Sequence, residues 1–238
     1  MNLITNIFNE ELEIILKQKG KVVINTINAH SYIVAKKDKD FKRALLKSDV
    51  LLPDGEGIVL MIRVLLKKKI NKIAGADVHD FLLNHANKNN LKCFYLGSSN
   101  EVLNIIESKI SVQYPNIIIK TLSPPFKDVF SDDENSEMYS SINDFSPDII
   151  FIGMTAPKQE KWIDDNKEYL NFKFAASIGA VFDFIAKTKR RAPEWMIKVK
   201  LEWLFRALTS WRLTKRYLYS NPLFLIEILR LKFQKKLK

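Results

Sequence analysis

The run Asp148-Ile149-Ile150-Phe151-Ile152 is apolar at every position after its opening aspartate. A strand covered on one face alternates polar and apolar residues. One covered on both faces does not, and that is how a central strand of a parallel sheet reads. Short apolar or β-branched runs recur at Lys21 to Asn25, Leu51-Leu52, Lys92 to Leu96, Asn116 to Thr121 and Phe172 to Ile178. Segments with helical spacing lie between them. These are 6–19 (Ile7, Phe8, Leu12, Ile15, Leu16), about Asp40 to Lys47, Ile58 to Leu66, Val78 to about Asn87, a helix through Val102, Ile106 and Ile110, one carrying Trp162 and Ile163, and one opening at Gly179. The acidic stretch Asp128 to Asn143 is a polar surface helix or loop. Strands alternating with helices predict an α/β body, a mostly parallel sheet with helices on both faces.

In such a sheet the strand carboxyl ends share one rim, and ligands bind where they give way to helix starts. The polar groups expected on that rim are Thr26, Asn28, Asp54, the Gly97-Ser98-Ser99 turn, Gln159 and Asp183. Asp54 follows an apolar strand in Leu51-Leu52-Pro53-Asp54-Gly55-Glu56-Gly57. There it is either a base or ligand group, or the cap of the following helix. Thr26 and Asn28 have the same two readings, binding or turn chemistry. The Gly97 turn is either a phosphate cradle at a helix start or a plain strand-to-helix connection. His30, His79 and His85 lack zinc spacing. GxSxG, GxxxxGK[ST] and GxGxxG are absent, which lowers the hydrolase, P-loop and dinucleotide readings. Asp38-Lys39-Asp40 has the form of a metal-holding DxD but sits among Lys36, Lys37 and Lys42, so it reads as a solvated helix start. An enzyme at this rim is therefore expected to work without a metal or other cofactor.

The net charge of +11 is not spread evenly. From Lys187 to Lys238 there are 15 Lys and Arg against 3 acidic residues, a net of +12 that leaves the first 186 residues at −1. Two parts are expected, a neutral body over 1–187 and a basic, aromatic C-terminal appendage over 188–238. A cationic tail on a neutral body meets phosphate, on a membrane surface or on nucleic acid, or it is a helix pair packed on the body. Arg212 and Arg216, four apart, share a helix face there. The one cysteine, Cys93, falls in an apolar run and reads as a buried thiol. Neither a signal peptide nor a membrane-spanning run is expected.

Several stretches resemble, in order, the WecG/TagA/CpsF glycosyltransferases. They are Thr26-Ile27-Asn28, Pro53-Asp54-Gly55-Glu56-Gly57, Gly75-Ala76-Asp77, Phe94-Tyr95-Leu96-Gly97 and Gly153-Met154-Thr155-Ala156-Pro157-Lys158-Gln159-Glu160. Gly179 to Asp183, Arg191 to Trp195 and Leu201 to Arg206 complete the set, which covers about residues 21 to 225. The resemblance implies a Rossmann-like fold of the GT-E type whose C-terminal appendage helps complete the site at the membrane. It implies an inverting, metal-independent transfer of an N-acetylmannosamine-type sugar, or its uronate, from a UDP-sugar to a polyprenyl-diphosphate-linked acceptor, N-acetylglucosamine by expectation. That reaction serves surface polysaccharide or teichoic acid synthesis at the inner face of the cell membrane, on anionic lipid and with no nucleic acid partner; a homo-oligomer is left open.

Carried over by motif, Asp54 is the base and Thr26 and Asn28 stand beside it. Gln159 contacts the donor, while Asp183 and the turn of Gly97 and Ser98 help hold UDP. Arg206, Arg212 and Arg216 face the diphosphates. Lys72 stands where the family usually has arginine, keeping the charge without the bidentate fork. Lys187 replaces a usual glycine, and Ser210-Trp211-Arg212 lacks the common acid-proline pair. A nucleic-acid-binding α/β protein and another Rossmann-like nucleotide enzyme are the alternatives; the body shows no basic stripe and no reader motif to favour the first.

Overall fold

The computed structural model describes residues 3–186, 192–193, 196, 204–205, 208 and 211–236. Six strands, β1 (Val22–Ile27), β2 (Val50–Pro53), β3 (Lys92–Gly97), β4 (Ile118–Leu122), β5 (Ile149–Gly153) and β6 (Phe174–Ser177), form one sheet in the order β2-β1-β6-β5-β3-β4. Every pairing is parallel. The helices are α1 (Glu13–Leu16), α2 (Ala29–Lys37), α3 (Lys39–Leu46), α4 (Glu56–Leu66) and α5 (Gly75–Asn89). They continue with α6 (Asn100–Gln113), α7 (Asp132–Phe145), α8 (Lys158–Asn166), α9 (Ala180–Ile185) and α10 (Trp211–Lys236).

β5 lies between β6 and β3, and Ile149 to Ile152 are all fully buried. Its side chains divide by the two-residue period of a strand. Ile149 and Phe151 join a cluster with Val78 and Leu82 of α5, Ile106 of α6 and Phe182 of α9. Ile150 and Ile152 join another with Met138 and Ile142 of α7 and Ile163 of α8. Two covered faces are thus why this strand carries no polar residue. β4, on the sheet's outer edge, is half-buried at best, with Ile118 54% exposed.

The N-terminal segment departs from the expected helix over 6–19. Leu3–Asn6 is a short 3-10 turn, Ile7 bridges in parallel to Leu51, Phe8 N–H donates to Leu51 O at 2.9 Å, and only Glu13–Leu16 is α-helical. β2 ends the sheet on that side and presents open backbone groups, so pairing with Ile7 and Phe8 competes successfully with helix formation. α2 was not expected at all. Its residues Ser31, Tyr32, Ile33 and Ala35 are buried on more than one side, so it shows no single apolar stripe.

The neighbour that buries α2 is α10. Phe224 and Ile228 of α10 belong to the cluster built by Tyr32 and Ile33 of α2 and Ile58 and Ile62 of α4. Lys36 pairs with Glu227 at 2.6 Å, and Lys37 Nζ donates to Tyr219 at 2.6 Å. The expected solvated helix start at Asp38 is present. Asp38 caps α3 by accepting from Phe41 N–H at 3.0 Å, and it pairs with Lys161 at 2.6 Å. Cys93 is buried and unbridged. No helix among the described residues is long and apolar enough to cross a membrane.

Candidate functional site

Because all six strands run the same way, their carboxyl ends open onto one side of the sheet. A cleft of about 1780 Å³ lies there, reaching from the ends of β1 and β2 across β6 and β5 to β3, with α10 along one wall. Thr26, Asn28, Asp54, Lys72, Gly97, Ser98, Gln159, Asp183 and Arg216 all line it. The expected Arg206 falls outside the described residues. Arg212 lies on α10, but its side chain also falls outside them.

The β1–β2 ladder positions the acid. Thr26 is in register with Leu52 and Ile27 with Pro53, and Asp54 N–H donates to Ile27 O at 2.9 Å, extending the ladder one residue past the strand. Asp54 is thereby held beside Asn28, the N-cap of α2, whose Oδ1 accepts from Ser31 N–H at 3.0 Å. The cap of α4 is Gly55, at φ 113°, with no side-chain cap bond. Asp54 therefore precedes the cap and is not itself that residue. Ile73 N–H donates to Pro53 O at 3.0 Å, so the segment carrying Lys72 passes the end of the same strand.

On the other half of the rim, Gly97 is in register with Gly153. Gly97 has φ 121°, and a Cβ on it would lie 2.7 Å from the Gly153 carbonyl. A Cβ on Gly153 would lie 2.4 Å from the Phe182 ring. These two absent side chains let β3, β5 and the first turn of α9, which carries Asp183, come together at the rim. Ser123 Oγ donates to Ser98 O at 2.7 Å and ties the turn to the exit of β4.

α8 brings in Gln159 and, beside it, Glu160. Both are buried, and Gln159 Nε2 donates to Glu160 Oε1 at 2.9 Å. Burial pushes the Glu160 carboxyl up to about 7, with the Gln159 hydrogen bond and the Arg216 charge pulling the other way. His30, on α2, lies 2.5 Å from Ser220 Oγ of α10 through Nδ1. Burial first, then Arg216, lowers its pKa to about 4, so it is neutral at pH 7. Arg216 thus acts electrostatically on groups of both α2 and α8, from the cleft side of α10.

Sequence reasoning missed Glu160 and His30 as members of this site. His30 was weighed only for zinc spacing, and Glu160 looks like an ordinary acid in a helix's first turn. Their burial comes from elements far away in the chain, and no local pattern reports it. Lys158 was missed too. It lines the cleft, its Nζ lies 3.7 Å from the Phe130 ring centre, and burial lowers its pKa. No cluster of three or more His, Cys, Asp or Glu able to hold a metal ion occurs among the described residues.

Chemically, the cleft offers one carboxylate at a strand end, hydroxyl and amide groups next to it, an amide buried across from it and several cations. That set can take a proton from a hydroxyl and hold anionic groups. Comparison with known proteins agrees in class. The model of the glycosyl transferase WecG/TagA/CpsF family matches residues 4–238. An N-acetylglucosaminyldiphosphoundecaprenol N-acetyl-beta-D-mannosaminyltransferase of Bacillus subtilis is 34% identical over 222 residues, 93% of this chain and 84% of that protein. The enzyme of the same name from Staphylococcus aureus strain MRSA252 is 31% identical over 213 residues, 90% of this chain and 82% of that protein.

Proposed function

Since this chain belongs to the WecG/TagA/CpsF family of glycosyltransferases, we propose that it transfers N-acetylmannosamine from UDP to N-acetylglucosamine carried on a polyprenyl diphosphate. The observation that carries this reading is the meeting of Asp54, Thr26, Asn28, Lys72, Gln159, Asp183 and Arg216 in one cleft. The relatives' names supply the acceptor and the sugar, while the nucleotide follows from the resemblance of the rim motifs.

In this reading one in-line displacement occurs at the anomeric carbon. The acceptor hydroxyl attacks, its proton passes to the Asp54 carboxylate, the bond to the diphosphate oxygen breaks, and the configuration inverts. Negative charge develops on the departing UDP. Helix-start N–H groups and the cations Lys72 and Arg216 offset it without a metal ion. The enzyme works as a peripheral protein on the inner membrane face. Leu218, Leu225, Ile226, Leu229 and Phe233, all more than half exposed on α10 among lysines and arginines, support that arrangement.

The test is release of UDP from UDP-N-acetylmannosamine with a short-chain prenyl-diphosphate N-acetylglucosamine acceptor. Asp54→Asn, folded as judged by its melting curve, is expected to lower kcat by about 10²–10⁴-fold, as loss of a general base does. Undiminished turnover in that variant would remove Asp54 from its role.

A further inference from the structure

Gln159 and Glu160 open α8 at the cleft, at 4% and 2% exposure. An ionised carboxylate can only accept hydrogen bonds, so the bond from Gln159 Nε2 to Glu160 Oε1 forces the amide to turn its NH₂ toward Glu160. The carbonyl Oε1 of Gln159 then faces elsewhere, and it has no hydrogen-bond partner among the described residues. Buried carbonyls are almost always satisfied, and leaving one unsatisfied is costly. Such an oxygen marks where a further hydrogen-bond donor belongs. Gly179 packs against it, and the missing side chain there keeps a Cβ from crowding the oxygen. A Cβ there would sit 3.1 Å from Gln159 Oε1 and 3.0 Å from Met154 O, and Gly179 lines the same cleft.

We propose that Glu160 is a positioning residue that holds Gln159 with its carbonyl oxygen presented to a neutral N–H of the sugar-nucleotide donor. This rests on the donor reading given above. A UDP-N-acetylhexosamine carries two groups of that chemistry, the acetamido N–H of the sugar and the imide N–H of uracil. When Glu160 is protonated its O–H can donate to Gln159 Oε1. The amide then turns over and sets its NH₂ against the ligand's N–H, donor against donor. Burial brings the Glu160 carboxyl to about 7, so the two arrangements exchange near neutral pH. From another element, Arg216 of α10 is the charged side chain that bears on it, and on α8 itself Lys158 and Lys161 flank it.

Isothermal titration calorimetry on the full chain tests this with two ligand pairs at about pH 8, well above the Glu160 midpoint. UDP-N-acetylmannosamine against UDP-2-deoxyglucose, which has no donor at C2, reports the acetamido N–H. UDP against CDP reports the imide N–H, because cytosine presents an acceptor at that ring position. The wild-type protein is expected to favour the first member of one pair by about three- to tenfold, the worth of one neutral hydrogen bond. Glu160→Gln, whose own amide can offer either end to Gln159, is expected to bring that ratio within about twofold of unity. Lowering the pH to about 6 is expected to shrink the wild-type ratio while the Glu160→Gln ratio stays flat. The wild-type pH series needs no variant, so it holds even if Glu160→Gln does not fold. No preference in either wild-type pair, an unchanged ratio in folded Glu160→Gln, or a wild-type ratio flat with pH each overturns the assignment and leaves the donor reading intact. Failure of the wild-type protein to bind any uridine nucleotide overturns both.

Discussion

Replacing Phe224 by alanine isolates what holds α10 against the body. Phe224 is 2% exposed, its ring meets Tyr32 edge-on with centroids 5.5 Å apart, and it lies close enough to Gly57 that a Cβ there would be 3.3 Å from its Cε1. Truncating a buried phenylalanine removes its burial and leaves a cavity, at about 3–5 kcal/mol. The ring joins α10 to α2 and α4, so the destabilisation falls on the equilibrium between docked and undocked α10. At about 1.4 kcal/mol per tenfold, that equilibrium moves by about a hundredfold to a few thousandfold. The ion pair Lys36–Glu227 survives the change, but pairs with solvent access contribute only about 0–1 kcal/mol and do not compensate. Hydrogen exchange followed by mass spectrometry reads the outcome. Peptides from α10 should lose protection while those from β5 keep theirs, and sugar transfer should fall because Arg216 leaves the cleft with the helix. Full α10 protection alongside a general loss of stability would show that the helix is not a separable unit. Lost protection with full transfer activity would show that Arg216 is not needed.

Gly153→Ala would drive a Cβ to 2.4 Å from the Phe182 ring, which is 1% exposed and backed by Tyr95 at 5.4 Å between centroids. Overpacking of this kind costs about 1–3 kcal/mol, a fall of about 2–12 °C in Tm for a chain of this size; an unchanged melting curve would mean that Phe182 yields freely. Glu160 has a folded pKa of about 7, above its ordinary value of 4.5, so the native state binds the extra proton between those values and stability is lost as pH rises through about 7. Melting of Glu160→Gln against wild type from about pH 5 to about pH 8 should therefore shift in the variant's favour as pH rises, whereas parallel curves would contradict burial of a charged carboxylate there.

What the sequence made legible was the local and the periodic. Ile149 to Ile152 announce a central strand because a strand covered on both faces can carry no polar side chain. Asp54, Asn28 and Gln159 can be assigned to the rim because strand direction alone brings strand ends together. The helix expected over 6–19 was undone by the open edge of β2, which draws Ile7 and Phe8 into pairing. α2 was hidden because α10 covers its outer side, and an element buried all round has no stripe to read. His30 and Glu160 owe their perturbed titration first to burial, with Arg216 adding to the shift of His30 and opposing that of Glu160, so nothing next to them in sequence signals it.

The strand order has a consequence for how the chain folds as it is synthesised. β1 forms early and pairs at once with β2 on one side, but its partner on the other side is β6, the last strand to be made. Until β6 emerges, one edge of a strand that is buried along nearly its whole length has no neighbour, and β5 is in the same position on its β6 side. Distant parallel pairings of this kind fold slowly, and unpaired strand edges are what neighbouring chains capture. Insertion of β6 is therefore the step that joins the two halves of the sheet, and crowding on a polysome or slow translation ahead of Phe174 is where this protein is expected to aggregate.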